Sequence, residues 1–190
     1  EVKRIKQFVR SSSNKSNEVL DLNKYLALEN IESNTGKLIP SSKEIDKVES
    51  IVNTFNKGDV LFCKLRPYLR KYYFCDFDGY STSELLVFSN YNDKMKMKYF
   101  YYLIQSEVFI SRINGSTYGA KMPRASPDFI NNERLPRPPI KEQEEIAEYL
   151  DNKTSKIQSV IKNKEKQVEL YQELRKTVIN NAVTGKIKVC

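Results

Sequence analysis

From Lys141 to Val183 the apolar positions settle into a helical rhythm. Leu150, Ile157, Ile161, Val168, Tyr171, Val178 and Ala182 recur at steps of three, four and seven, the a/d seam of a coiled coil. Neither Gly nor Pro interrupts the stretch, Pro138-Pro139 precedes it and Gly185 follows it. One long helix is therefore predicted. Thr154, Lys164 and Arg175 also fall on the seam and weaken it, while Leu170 and Leu174 widen the apolar face beside it. At 1.5 Å per residue the helix is roughly 65 Å long, about twice the diameter of the domain before it. It is expected to need a partner helix, with Leu150, Ile157, Ile161, Val168, Tyr171, Leu174 and Val178 as contact residues.

Upstream, the apolar runs are short and separated by turns. Val2 to Val9 alternates loosely and reads as a first strand or amphipathic lead-in; Tyr25 to Ile31 is a strand candidate closed by the turn Ser33-Asn34-Thr35-Gly36. Pro40 to Asn53 is polar, an extended loop or a helical turn. After the turn Lys57-Gly58-Asp59, Val60 to Leu65 reads as a buried strand, which Arg66 to Phe74 continues with basic residues interleaved among aromatics. Alternation would put Lys64 and Arg66 on one face. Leu85 to Phe88 is a further strand, Lys96 to Ile113 has helical length and period, Gly115 to Ser126 is a basic, hydroxyl-rich loop, and Phe129-Ile130 opens a last strand. Leu135 to Pro139 is a stiff link. The fold class predicted is α+β: a mainly antiparallel β domain with added helices over residues 1–137, then the long coiled-coil-forming helix and a short tail over 138–190.

Charge sharpens this division. The long helical stretch carries eight basic and eight acidic residues, so most of the net charge of +8 sits on the head. A basic head on a neutral helix points to a polyanion as partner. No apolar run reaches the length of a membrane span and no signal-peptide pattern opens the chain, so a cytoplasmic protein is expected, without membrane partners. Cys63, Cys75 and Cys190 form neither a close pair nor a metal-binding spacing, which suits a reducing compartment.

Enzymatic chemistry is poorly supplied. The chain has no histidine, and with it lacks the commonest general base and transition-metal ligand. Gly115 and Gly119 before Lys121 have the wrong spacing for a phosphate-binding loop. Asp76 and Asp78 read as a solvated turn. No catalytic residue, metal site or cofactor is assigned. Binding chemistry is better supplied: Lys64, Arg66, Arg70, Lys71, Lys121 and Arg124 can neutralise phosphates, and arginine can also grip guanine edges. Ser116 and Tyr118 add hydrogen-bonding groups on the loop. Lys37, Lys43 and Tyr72 lie in the loops expected to read bases.

The run Gly58-Asp59-Val60-Leu61-Phe62-Cys63-Lys64-Leu65-Arg66-Pro67-Tyr68-Leu69 resembles the GDILFSKLRPYL segment of type I restriction-modification specificity subunits. Ser83 to Val87 resembles the strand that follows it in that family. Leu135 to Ala147 is similar to the family's LPLPPLEEQKAIA, where the spacer helix starts, and Ala182 to Ile187 to its AVTGKI, where the helix stops. The resemblance implies a target-recognition domain with its spacer helix, one half of a subunit that reads a split sequence in double-stranded DNA. The Val-Thr-Gly-Lys-Ile ending implies a C-terminal half or a short subunit. The family's helices pack antiparallel and dock methyltransferase subunits, on which S-adenosylmethionine is expected; restriction subunits join through the complex. A half-length chain is expected to form a homodimer through antiparallel helices. The competing reading is a coiled-coil assembly or scaffold protein whose basic head binds RNA or an acidic protein.

Overall fold

The computed structural model describes residues 1–12, 14–40 and 51–188. The strands are β1 (Val2–Arg4), β2 (Val9–Ser12), β3 (Lys15–Ser16), β4 (Tyr25–Leu26), β5 (Val52–Phe55), β6 (Val60–Cys63), β7 (Tyr72–Phe74), β8 (Gly79–Thr82) and β9 (Leu85–Asn90). Helices α1 (Met97–Leu103), α2 (Glu107–Gly115) and α3 (Pro127–Asn132) follow, then β10 (Arg134–Pro136) and α4 (Ile140–Val183).

Strand β6 and residues 85–88 of β9 are continuous apolar runs because both of their faces are covered. Val60 and Phe62 of β6, with Leu86 and Phe88 of β9, face a core shared with Phe100, Ile104, Phe109 and Ile113 of the helical segment. Leu61, Cys63, Leu85 and Val87 point the other way, into a second core with Leu26, Ile31 and Phe55. The period-2 alternation of one strand thus feeds two cores. The sheet between them runs β2-β9-β6-β7, antiparallel throughout. A second sheet, β3-β5-β8-β4, covers its far side, with a parallel pairing only between β4 and β8. β1 pairs with β10, joining the two ends of the head.

Several elements differ from the sequence reading. Tyr25 to Ile31 is a two-residue strand followed by a 3-10 turn at Leu28–Asn30. Arg66 to Phe74 does not continue β6. Arg66 and Arg70 both take left-handed backbone (φ +50° each) around a 3-10 turn at Pro67–Leu69, and the chain doubles back so that Val60, Leu61 and Phe62 face Phe74, Tyr73 and Tyr72. Lys64 and Arg66 therefore do not share a strand face. The predicted helix over 96–113 is two helices, because Ser106 caps α2 by accepting the Phe109 amide at 3.3 Å. Phe129-Ile130 lies in α3, where Ser126-Pro127 starts a helix instead of a strand.

Two compact units are resolved, Glu1–Ala147 and Glu148–Cys190. The first holds the opening turns of α4, with Ala147 in the core and Gln143 fully buried. In the second, Ile157, Ile161, Val168, Tyr171, Leu174 and Val178 are 43% to 69% exposed, and Leu150 is half-buried. Thr154, on the predicted seam, turns its hydroxyl to the Leu150 carbonyl at 2.7 Å. Gly185, at φ +72°, ends the helix. No helix among the described residues is long and apolar enough to cross a membrane.

Candidate nucleic-acid interface

Three segments meet where β6 ends. Lys64 donates its amide to the Glu84 carbonyl at 3.0 Å, and its own carbonyl accepts the Ala125 amide at 2.9 Å. The Arg66 amide donates to the Pro123 carbonyl at 2.8 Å, so residues 123–125 lie against residues 64–66 as a short antiparallel bridge. Tyr118 and Arg124 exchange both backbone hydrogen bonds at 3.0 Å, closing the intervening loop into an arm whose turn uses Gly119 at φ +88°.

Side chains fix the arm. The Arg124 guanidinium grips the Glu84 carboxylate, whose hydrogen bonds and negative charge make the guanidinium hold its own proton more firmly still. The Arg66 guanidinium donates through Nη2 to the Lys121 carbonyl at 3.2 Å, while its Nε is buried without a partner. Arg70 pairs with Glu107 at the start of α2, and its carbonyl accepts the Asn34 amide at 3.0 Å. That last bond ties the turn to the loop of Lys37. The Lys37 amide donates to the Thr35 hydroxyl at 3.2 Å, and its side chain is exposed. Gly36 in this loop has φ +65°, and a Cβ there would collide with the Tyr101 hydroxyl and sit 2.8 Å from the Tyr72 carbonyl oxygen.

The predicted binding residues thus separate. Lys64, Arg66, Tyr118, Lys121 and Arg124 meet at one junction, Arg70 stands at the far end of the same turn, and Lys37 is joined to it through Asn34. Tyr118 and Lys121 are exposed. The Ser116 hydroxyl is spent on the Ile113 carbonyl at 2.8 Å, closing α2. The Lys71 ammonium donates to the Leu28 carbonyl at 2.5 Å. Tyr72 is a correction: it is 3% exposed, its hydroxyl donates to the Asn34 carbonyl at 2.7 Å, and its ring packs edge-on against Tyr101. Burial pushes its phenol up and leaves no ring face for a base. Lys43 lies outside the described residues.

Two features escaped the sequence reading. Tyr68 and Leu69, on the 3-10 turn, are exposed beside the cations. Gln143 looks like one polar residue among many on a charged helix start, yet its carboxamide makes three hydrogen bonds within the head. Both motifs are visible as strings; which side chains turn outward is not. Among the described residues, no group of three or more His, Cys, Asp or Glu residues could hold a metal ion.

Comparison with known proteins converges on one family. The model of the type I restriction modification DNA specificity domain matches residues 43–170. The MjaVIII specificity subunit of Methanocaldococcus jannaschii is 29% identical over 98 residues, 52% of this chain and 22% of that protein. The EcoDI specificity subunit of Escherichia coli is 23% identical over 164 residues, 86% of this chain and 36% of that protein. Among solved structures, the HsdS subunit from Thermoanaerobacter tengcongensis aligns with a TM-score of 0.69 at 20% identity, over 84% of this chain and 43% of that one. A chain solved in work on assembly and conformational transition of the type I R-M system aligns with a TM-score of 0.76 at 20% identity, over 96% and 49%. This chain spans less than half the length of each of these relatives.

Proposed function

The chain belongs to the type I restriction modification DNA specificity domain family, and from that premise we propose that it recognises double-stranded DNA as one half of a bipartite reader, without catalysing a reaction itself. The observation that carries the reading is the charge of the junction and the turn beside it. Among the described residues, Lys64, Arg66, Arg70, Lys71, Lys121 and Arg124 bring six cations together, of which Arg70 pairs with Glu107 and Arg124 with Glu84. A surface left positive after its internal pairs are formed attracts phosphates. Exposed Tyr118 and Lys121 on the arm, with Lys37 on its loop, are the groups free to reach base edges or backbone.

In this reading α4 is an assembly helix. Its exposed apolar positions from Ile157 to Val178 would be covered by a second copy running antiparallel and by methyltransferase subunits. S-adenosylmethionine belongs to those methyltransferase subunits, and a restriction subunit joins through the complex. Residues 1–137 are the recognition domain and 138–190 the spacer helix and tail.

The test is titration of the full chain against duplex DNA, with and without a methyltransferase subunit, at several salt concentrations, with structured RNA as competitor. Salt-dependent duplex binding that RNA does not displace is expected. Binding to RNA in preference to DNA, or none to either, overturns the reading. Light scattering at high concentration is expected to give a dimer, and a monomer would remove the helix pairing.

A further inference from the structure

One turn of the head is held in costly backbone and shows two apolar side chains to solvent. On either side of the 3-10 turn Pro67–Leu69, Arg66 (φ +50°, ψ +63°) and Arg70 (φ +50°, ψ +52°) both lie in the left-handed region. The other non-glycine residues with positive φ among the described ones are Asn34 and Asp93, types whose short polar side chains ease that conformation. Arginine has no such relief. Each of the two costs energy that its surroundings must supply.

The surroundings fix the turn from several sides. The Arg66 amide donates to the Pro123 carbonyl at 2.8 Å, the Arg70 carbonyl accepts the Asn34 amide at 3.0 Å, and the Lys71 carbonyl accepts the Cys63 amide at 3.0 Å. Pro67 is buried, and the Arg70 guanidinium pairs with Glu107 of α2. The result is a rigid tip. What it holds outward is Tyr68, 49% exposed, and Leu69, 37% exposed.

Positive charge surrounds this tip. Lys64, Arg66, Arg70 and Lys71 flank it in the chain, and the Arg66 guanidinium reaches across to the Lys121 carbonyl. Lys64 and Lys121 have no carboxylate partner among the described residues. An apolar protein surface seated on the tip would strip water from these cations and return nothing to them. A nucleic-acid strand returns phosphates to the cations and lays apolar sugar and base surface between them. A tip already fixed also loses little freedom on binding.

We propose that the Tyr68-Leu69 tip is an apolar contact element for duplex DNA, laid against sugars and base edges in a groove while Lys64 and Lys121 meet the flanking phosphates. The proposal rests on the DNA reading above and adds to it a share of the affinity that does not come from charge.

The chain has no tryptophan, so Tyr68→Trp places a single fluorophore on the tip. In the full chain, acrylamide quenching of this tryptophan is expected to fall over the same duplex concentrations at which the anisotropy of a labelled duplex rises. Combined Tyr68→Gln and Leu69→Gln changes are expected to weaken duplex binding at least about ten-fold at every salt concentration. The slope of log affinity against log salt should stay as in the parent, because an apolar contact releases no counterions. Tyr68→Phe, which keeps the ring, should bind as the parent does. If the double variant melts below the assay temperature, the shielding of Tyr68→Trp decides. A double variant that binds as tightly as the parent, or a tryptophan as open to acrylamide in the complex as in the free chain, overturns the proposal and leaves the DNA reading standing. A parent chain that binds no duplex overturns both. Shielding by a methyltransferase subunit and not by duplex overturns the proposal and marks a protein contact instead.

Discussion

Arg124 and Glu84, forty residues apart in the chain, meet edge to edge: Nε lies 3.1 and 3.2 Å from the two carboxylate oxygens and Nη2 2.9 Å from Oε1. The pair clamps the arm to the strand end, so Arg124 acts on binding through the position of Tyr118 and Lys121 more than by touching a phosphate itself. Arg124→Ala leaves a half-buried carboxylate unpaired and should lower the midpoint of urea denaturation. Arg124→Gln combined with Glu84→Gln, which removes both charges and keeps two hydrogen-bonding amides, should recover part of that loss. If the double variant is as unstable as Arg124→Ala, the clamp is not what the pair supplies.

Lys121 differs from Arg124 in having an exposed side chain with no carboxylate partner among the described residues. Its replacement by Ala should leave denaturation unchanged and weaken duplex binding alike across sequences. The slope of log affinity against log salt should fall by about one, as expected for one phosphate contact. An unchanged slope would assign Lys121 to solvent.

Much of the architecture could be read from the chain because its strongest local signals agree with the tertiary outcome. β6 and the first four residues of β9 are unbroken apolar runs, and α4 has neither Gly nor Pro, with Gly185 just after it. The errors fall where a single residue outweighs a period. Ser106 splits an otherwise helical stretch, and Ser126-Pro127 starts a helix at Phe129 where aromatic and β-branched neighbours suggest a strand. At the interface, residue types were legible and partners were not. Nothing local to Arg124 reveals Glu84, and nothing local to Tyr72 reveals that Tyr101 and the Asn34 carbonyl claim it.

The burial of Cys63 makes an alkaline prediction. Its thiol donates to the Leu65 carbonyl at 3.0 Å, and burial pushes it from an ordinary value near 9 up to about 11. Between those values the folded chain keeps a proton that the unfolded chain has released, so stability is constant below pH 9 and falls as pH rises through 11. Each pH unit across that window is worth about 1.4 kcal/mol, which puts the Cys63 share at about 2–3 kcal/mol. Cys63→Ala should be less stable at pH 8, where it leaves a small cavity, yet lose less on going to pH 11. Parallel curves for variant and parent would remove the thiol from the account.

Gln143 is a fully buried polar anchor of the head. Its Oε1 accepts the Lys96 amide at 2.8 Å, and its Nε2 donates to the Lys94 carbonyl at 3.2 Å and the Pro138 carbonyl at 2.8 Å. The side chain thereby satisfies the segment before α1 and the link before α4 together, with no exposure to water. Gln143→Ala would strand three backbone groups and should cost about 3 kcal/mol. Gln143→Glu is the sharper test because it keeps the shape. At neutral pH the introduced second oxygen would face two carbonyls with no proton to offer, so the acid is driven to protonate. Its folded value must then rise above the ordinary carboxylate range, and the penalty shrinks as pH falls. Denaturation at pH 7 and pH 5 should show the gap between the Gln143→Glu variant and the parent narrowing toward acid; a gap that stays constant would mean that the carboxamide donor is not what holds these carbonyls.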